Sequence, residues 1–237
     1  MKTLLITLIL AGTTATASAA TYTFQQGAGG YYGSMDVTMF SNDPDSSHGY
    51  DTEVSIDASD SGSPNHVLLR FDDLFGTSAS QIKAGETIVS ATLTLQITSA
   101  GSGIRFHDML SDWNSASATW NTMGDGIQTD GVEAAAQPFL VLGANDGEAN
   151  IEEGTLVLDF TDALRRIQNG SAPGYGWALL PFMPDGTNGV DFYSAESFDP
   201  STRPLLTVEV AAVPEPETYA MLLAGLGLIG LRARRRS

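Results

Sequence analysis

The stretch TIVSATLTLQIT, Thr87–Thr98, alternates apolar and polar side chains at period two. Val89, Ala91, Leu93, Leu95 and Ile97 fall on one face and Thr92, Thr94 and Gln96 on the other, the pattern of a half-buried strand. Shorter runs of the same kind are DVTMF (Asp36–Phe40), TEVSI (Thr52–Ile56), HVLLRF (His66–Phe71), IRFHDML (Ile104–Leu110) and PFLVLG (Pro138–Gly143). They continue with TLVLDF (Thr155–Phe160), GWALLPF (Gly176–Phe182), VDFYS (Val190–Ser194) and PLLTVEV (Pro204–Val210). Turn signals separate them, among them Asp125-Gly126, Asp130-Gly131, Asp146-Gly147 and Asp185-Gly186. Many short strands with little helix predict an all-β fold, an antiparallel β-sandwich of jelly-roll type. One segment departs from period two. TDALRRIQNG (Thr161–Gly170) has Thr161 as candidate N-cap, Asp162 in the first turn, Leu164 and Ile167 three apart, and Gly170 past the end. That predicts one short connecting helix, with Arg165 and Arg166 as surface charge near its C-terminus.

The two ends follow other rules. Residues 1–20, MKTLLITLILAGTTATASAA, have a basic start at Lys2, an apolar stretch Leu4–Ala11 and the small-x-small pattern Ala17-Ser18-Ala19. This is the layout of a secretory signal peptide cut after Ala19 or Ala20, followed by a body spanning 21–212. At the other end, Val213-Pro214-Glu215-Pro216 precedes an apolar run, Tyr219–Leu231, and the cluster Arg232, Arg234, Arg235 and Arg236. A run of ~13 residues is short for a span, which needs about 17–25, and suits a temporary stop. Under the positive-inside rule the arginines hold its far end in the cytoplasm. These three parts in this order resemble the PEP-CTERM sorting signal of Gram-negative bacteria, over residues 213–237. The resemblance implies an exosortase-type processing enzyme as partner, cleavage near the Pro-Glu-Pro, and release to the cell surface or extracellular polysaccharide matrix. Contact with the membrane is then transient, through the C-terminal segment.

Charge narrows the partners. The chain carries a formal net charge of −17, and its body keeps only Arg70, Lys83, Arg105, Arg165, Arg166 and Arg203 as basic residues. Nucleic acid is excluded as a partner, because phosphate binding rests on Lys and Arg. A strongly polyanionic glycan is disfavoured unless a cation bridges the two. Cysteine is absent, so the fold relies on its core, for which a body of about 190 residues is large enough.

Several pieces of the body also stand in a familiar order. They are FQQGAGGYYGSMDVT (Phe24–Thr38), VLLRFDDL (Val67–Leu74), IVSATLTLQI (Ile88–Ile97), DWNSASATWN (Asp112–Asn121), LDFTDALRRIQNG (Leu158–Gly170) and GYGWALL (Gly174–Leu180). FYSAES and RPLLTVEV close the set, within Phe192–Val210. The set resembles the DNRLRE, or disaggregatase-related, domain. The resemblance implies a secreted jelly-roll sandwich, some of whose relatives are carbohydrate-binding modules. It also implies a structural, core role for Trp113 and Trp120. Ser194-Ala195-Glu196 departs from the family's Ser-Arg-Glu, and basic residues that some relatives turn to acidic sugars are scarce.

No catalytic constellation emerges. Ser80-Gln81-Ile82-Lys83 matches Ser-x-x-Lys without its partner motifs, and His48, His66 and His107 are scattered. The expectation is a non-catalytic protein, with paired carboxylates as the only route to a polysaccharide-active enzyme. NDPDSSHGYD (Asn42–Asp51) spaces Asp43, Asp45 and Ser47 as candidate calcium ligands, a solvated acidic turn being the alternative. Trp177 reads as core. Tyr31, Tyr32 and Tyr50, in Gly/Ser/Asp-rich loops, are the candidate glycan platform, with local packing as the competing role. The expected function is therefore a carbohydrate-binding module of the cell surface or matrix, with a purely structural or adhesive protein as the alternative.

Overall fold

The computed structural model describes residues 19–58, 62–182, 189–211 and 224–226. The reading of residues 1–18 as a leader, the turn at Asp185-Gly186, and the sorting-signal residues Val213–Pro216 and Arg232–Arg236 lie outside these. Within them the chain forms two antiparallel sheets. The strands are β1 (Ala20–Gln25), β2 (Ser34–Phe40), β3 (Glu53–Ile56), β4 (Asn65–Phe71), β5 (Thr87–Ser99) and β6 (Ile104–Asp108). They continue as β7 (Leu140–Leu142), β8 (Gly154–Asp159), β9 (Trp177–Leu180), β10 (Val190–Tyr193) and β11 (Leu205–Ala211), with the helix α1 (Thr161–Gln168) between β8 and β9.

The first sheet runs β1-β11-β5-β10-β3, with β8 also on β5. β5 organises it. β11 lies along Thr87–Thr94 and β10 meets Ile97 and Ser99, while β8 runs along the opposite edge from Thr92 to Ile97. The second sheet runs β2-β4-β9-β6-β7. Nearly every connection crosses from one sheet to the other, as in a jelly roll, so the expected sandwich is the fold observed.

Between the sheets lie Phe24, Val54, Leu69, Leu93, Phe106, Phe160, Trp177 and Leu206, all buried. Phe160 meets Trp177 edge-on at 4.9 Å and Phe106 at 5.6 Å. A second apolar cluster covers the outer face of the second sheet. There Val37, Met39, Leu68, Ala178 and Leu180 meet Met109, Trp113, Met123 and Ile127 of the long β6–β7 connection. Apolar runs such as VLL in β4 and WALL in β9 are thus explained, because these strands are buried on both faces. Both sheets and both clusters fall within residues 20–211.

Four details differ from the sequence reading. In β5 the alternation breaks at its start: Ile88 is buried and Val89 is 51% exposed. The register against β11 shifts there, Glu209 facing Ser90 and Val210 facing Ile88. Val89 is the extra residue of a β-bulge, which turns every side chain before it to the other face. Thr161 is the first residue of α1 rather than its cap. Its hydroxyl instead accepts from the Ala91 N–H (2.9 Å), fastening the helix to β5. Arg165 and Arg166 are more than surface charge. Arg165 donates to the carbonyls of Ile88 and Val89, and Arg166 forms a two-pronged pair with Asp108 while its guanidinium lies 4.8 Å from the Phe139 ring centroid. Finally β1, ATYTFQ, alternates at period two but adjoins the leader, and sequence reading passed over it.

Candidate functional site

Three loops are stitched together at one side of the sandwich. The β1–β2 loop is held by Arg203, which donates to the Gln26 carbonyl (2.8 Å), and Gln25 donates to the Arg203 carbonyl (2.9 Å). The β2–β3 loop is held by Ser194, whose hydroxyl donates to the Asp51 carbonyl (2.6 Å) and whose N–H donates to Thr52. The third is the β10–β11 loop itself, which carries both Ser194 and Arg203.

These loops present rings to solvent. Tyr32, just before β2, is 74% exposed, and Tyr50, just before β3, is 73% exposed. Phe198, in the β10–β11 loop, is 93% exposed. Sequence reading missed Phe198. Its signal was a large ring directly before Asp199-Pro200, where Asp199 caps a short 3-10 turn and leaves the ring no strand to pack in. Tyr31 behaves differently from its neighbour. Its ring packs edge-on against Phe24 at 5.3 Å and its hydroxyl donates to the Asp72 carbonyl (2.8 Å). Burial and the charges of Asp72 and Asp73 push that phenol's pKa up. Tyr31 therefore has a packing role, whereas Tyr32 and Tyr50 keep their faces free.

The acidic loop Asn42–Asp51 engages one side-chain oxygen of each of Asp43, Asp45, Ser47 and Asp51 within the protein. His48 sits 3.3 Å from an Asp43 carboxylate oxygen and 2.9 Å from Asp51. Asn121 donates to Asp45 (2.8 Å), and the Ser47 hydroxyl donates to the Ser115 carbonyl (2.5 Å). The arrangement fastens this loop to the long β6–β7 connection. Among the described residues, no group of three or more His, Cys, Asp or Glu side chains gathers as a metal cage.

A different pair of carboxylates, Asp36 fully buried and Glu196 half-buried, lies where β2 meets the β10–β11 loop. Asp36 is 1% exposed, on the inner face of β2 beside Leu69 of β4. One of its oxygens accepts from the Ala195 N–H (2.7 Å), and the other has no hydrogen-bond partner. Burial, then the charge of Glu196, raises the Asp36 pKa well above the carboxylate range, against the opposing pull of the Ala195 N–H. Burial also pushes Glu196 up to about 7, against the nearby Arg203 guanidinium. Glu196 Oε2 is likewise buried without a partner.

The remaining candidates are structural. His66 lies against Trp120 (centroids 4.8 Å apart), accepts from the Ile127 N–H (3.0 Å), and is pushed down to about 4 by burial and Arg105. His107 donates Nδ1–H to the Ala135 carbonyl (2.7 Å), and burial lowers its pKa too. Ser80 and Lys83 are both exposed in the β4–β5 connection. Trp113 is buried and donates Nε1–H to the Tyr175 carbonyl (2.7 Å), and Trp177 is buried between the sheets. Trp120 packs against the outer cluster, so all three tryptophans serve packing.

Comparison with known proteins bears on the tail. A family model described as the PEP-CTERM protein-sorting motif matches residues 212–236, the segment expected from the Pro-Glu-Pro, apolar run and arginine cluster. No curated protein matches the chain. Neither finding supports the expected resemblance of the body to DNRLRE domains. The chain carries a PEP-CTERM sorting signal, and is thereby an exported protein recognised and processed by an exosortase.

Proposed function

We propose that residues 20–211 form a non-catalytic carbohydrate-binding module, delivered by the sorting tail to the cell surface or extracellular polysaccharide matrix of a Gram-negative bacterium. The observation that carries this reading is the pair Tyr32 and Tyr50, each about three-quarters exposed on loops tied to one segment. A ring with no packing partner costs hydration, and a pyranose face is a partner that recovers it. Phe198 is a third exposed ring, on the segment that ties those loops. The scarcity of basic residues favours a neutral glycan. The coupled carboxylates do not favour hydrolysis, because Asp36 is too enclosed to meet a polymer.

The test is binding of residues 20–211 to a panel of neutral and acidic polysaccharides. Tyr32→Ala and Tyr50→Ala together are expected to weaken binding at least about tenfold, the usual scale for truncating an aromatic anchor. The melting temperature should stay unchanged. Retained binding in that variant would remove the platform, and a folded protein that binds no glycan would support the structural or adhesive alternative. Shortening of the polymer during incubation would support an enzyme.

A further inference from the structure

Three buried oxygens, two on β2 and one on the β10–β11 loop, lack a hydrogen-bond partner among the described residues: Ser34 Oγ, Asp36 Oδ1 and Glu196 Oε2. Ser34 and Asp36 are two apart on β2, so their side chains share the inner face of that strand, and both residues are more than nine-tenths buried. The Ala195 N–H bond to Asp36 brings the next residue, Glu196, to the same place. A buried polar oxygen without a partner is costly, a carboxylate more so than a hydroxyl, and three such oxygens favour a ligand between them. Arg203 does not supply it. Its Nε and Nη1 donate to the carbonyls of Ser197 and Gln26, leaving Glu196 Oε2 without a hydrogen bond.

We propose that this edge of the sandwich binds one calcium ion, held by Asp36, Glu196 and the Ser34 hydroxyl and completed by backbone carbonyls or water. The donor chemistry selects the ion. All three donors are hard oxygens, which disfavours zinc and suits calcium or magnesium. Two carboxylates match the charge of one divalent cation. Magnesium gives up its own waters reluctantly and demands octahedral geometry, whereas calcium accepts irregular shells of six to eight oxygens. The site joins β2 to the β10–β11 loop and so fixes the segment that carries Phe198 and Arg203. It is separate from the loop of Asp43, Asp45 and Ser47, where one oxygen of each side chain is engaged within the protein.

The experiment is a thermal melt of residues 20–211, stripped with EDTA and then titrated with calcium chloride or magnesium chloride. Calcium at millimolar concentration is expected to raise the melting temperature by about 3–6 °C, with a smaller shift from magnesium. Asp36→Asn should abolish the calcium shift and Glu196→Gln should reduce it at least tenfold in apparent affinity, while Asp43→Asn leaves it intact. If Asp36→Asn does not fold, the more accessible Glu196→Gln decides. No calcium shift in the unaltered protein would overturn the proposal. So would a shift that survives both Asp36→Asn and Glu196→Gln, or one that disappears in Asp43→Asn instead.

Discussion

At the scale of single residues, His66 shows how packing sets chemistry. Its imidazole lies between Trp120 and the Ile127 amide and titrates near 4, against an ordinary value of 6.5. Between those two values the unfolded chain binds the proton and the folded one does not, so the contribution of His66 to stability is complete above pH 6.5 and is lost as the pH drops towards 4. The share at stake is roughly 3 kcal/mol. His66→Gln should flatten the decline of the urea midpoint over that window, leaving the part due to His107. An unchanged slope would show that His66 is not held neutral. Arg166 gives a second residue-scale prediction. Asp108→Ala leaves its guanidinium half-buried and unpaired, and should cost about 1–3 kcal/mol by chemical denaturation, less than for a fully buried pair. Legibility differed sharply at this scale. Tyr32 and Tyr50 could be picked out because large rings in polar loops have few reasons to be there. Tyr31 could not be separated from Tyr32, since its partners Phe24 and Asp72 lie elsewhere in the chain. Nothing in the sequence joins Asp36 to Glu196, which only the return of the β10–β11 loop brings together.

At the scale of elements, short apolar or alternating runs bounded by turn signals identified ten of the eleven strands, because each buries at least one face in an apolar core. The exceptions have physical causes. β1 directly follows residues 1–19 in the sequence, and its six residues lack a turn signal on the N-terminal side. The bulge at Val89 depends on the register of β11, more than a hundred residues away. Strands buried on both faces also hid the outer layer, since a continuous apolar run does not say what covers it. Two substitutions test the packing. Trp177→Ala removes a ring that touches Phe71 and Phe160, and should destabilise the fold by about 3–5 kcal/mol. Gly176 precedes β9 with φ of 80°, and a Cβ there would run into the Leu69 carbonyl of β4. Gly176→Ala should therefore cost more than about 1 kcal/mol through strain and a displaced β4–β9 pair. An unchanged denaturation midpoint in either variant would contradict the described packing.

At the scale of the whole molecule, the working part and the addressed parts divide cleanly. Ala20 pairs with Val210, so the first and last strands of the body lie side by side. The leader and the sorting tail therefore attach at the same corner of the first sheet. A cut after Ala19 leaves β1 whole, and one after Ala20 removes only its first residue. On the other side, only residues 212 and 213 separate the end of β11 from Pro214. Both sheets and both apolar clusters lie within residues 20–211, so removing both end segments should leave the melting temperature unchanged. The most direct measurement is the intact mass of the protein released by cells that carry an exosortase. The account predicts a chain that starts at Ala20 or Thr21 and ends near Pro214–Pro216, without the arginine cluster. A released protein that keeps Arg232–Arg236, or still begins at Met1, would contradict it.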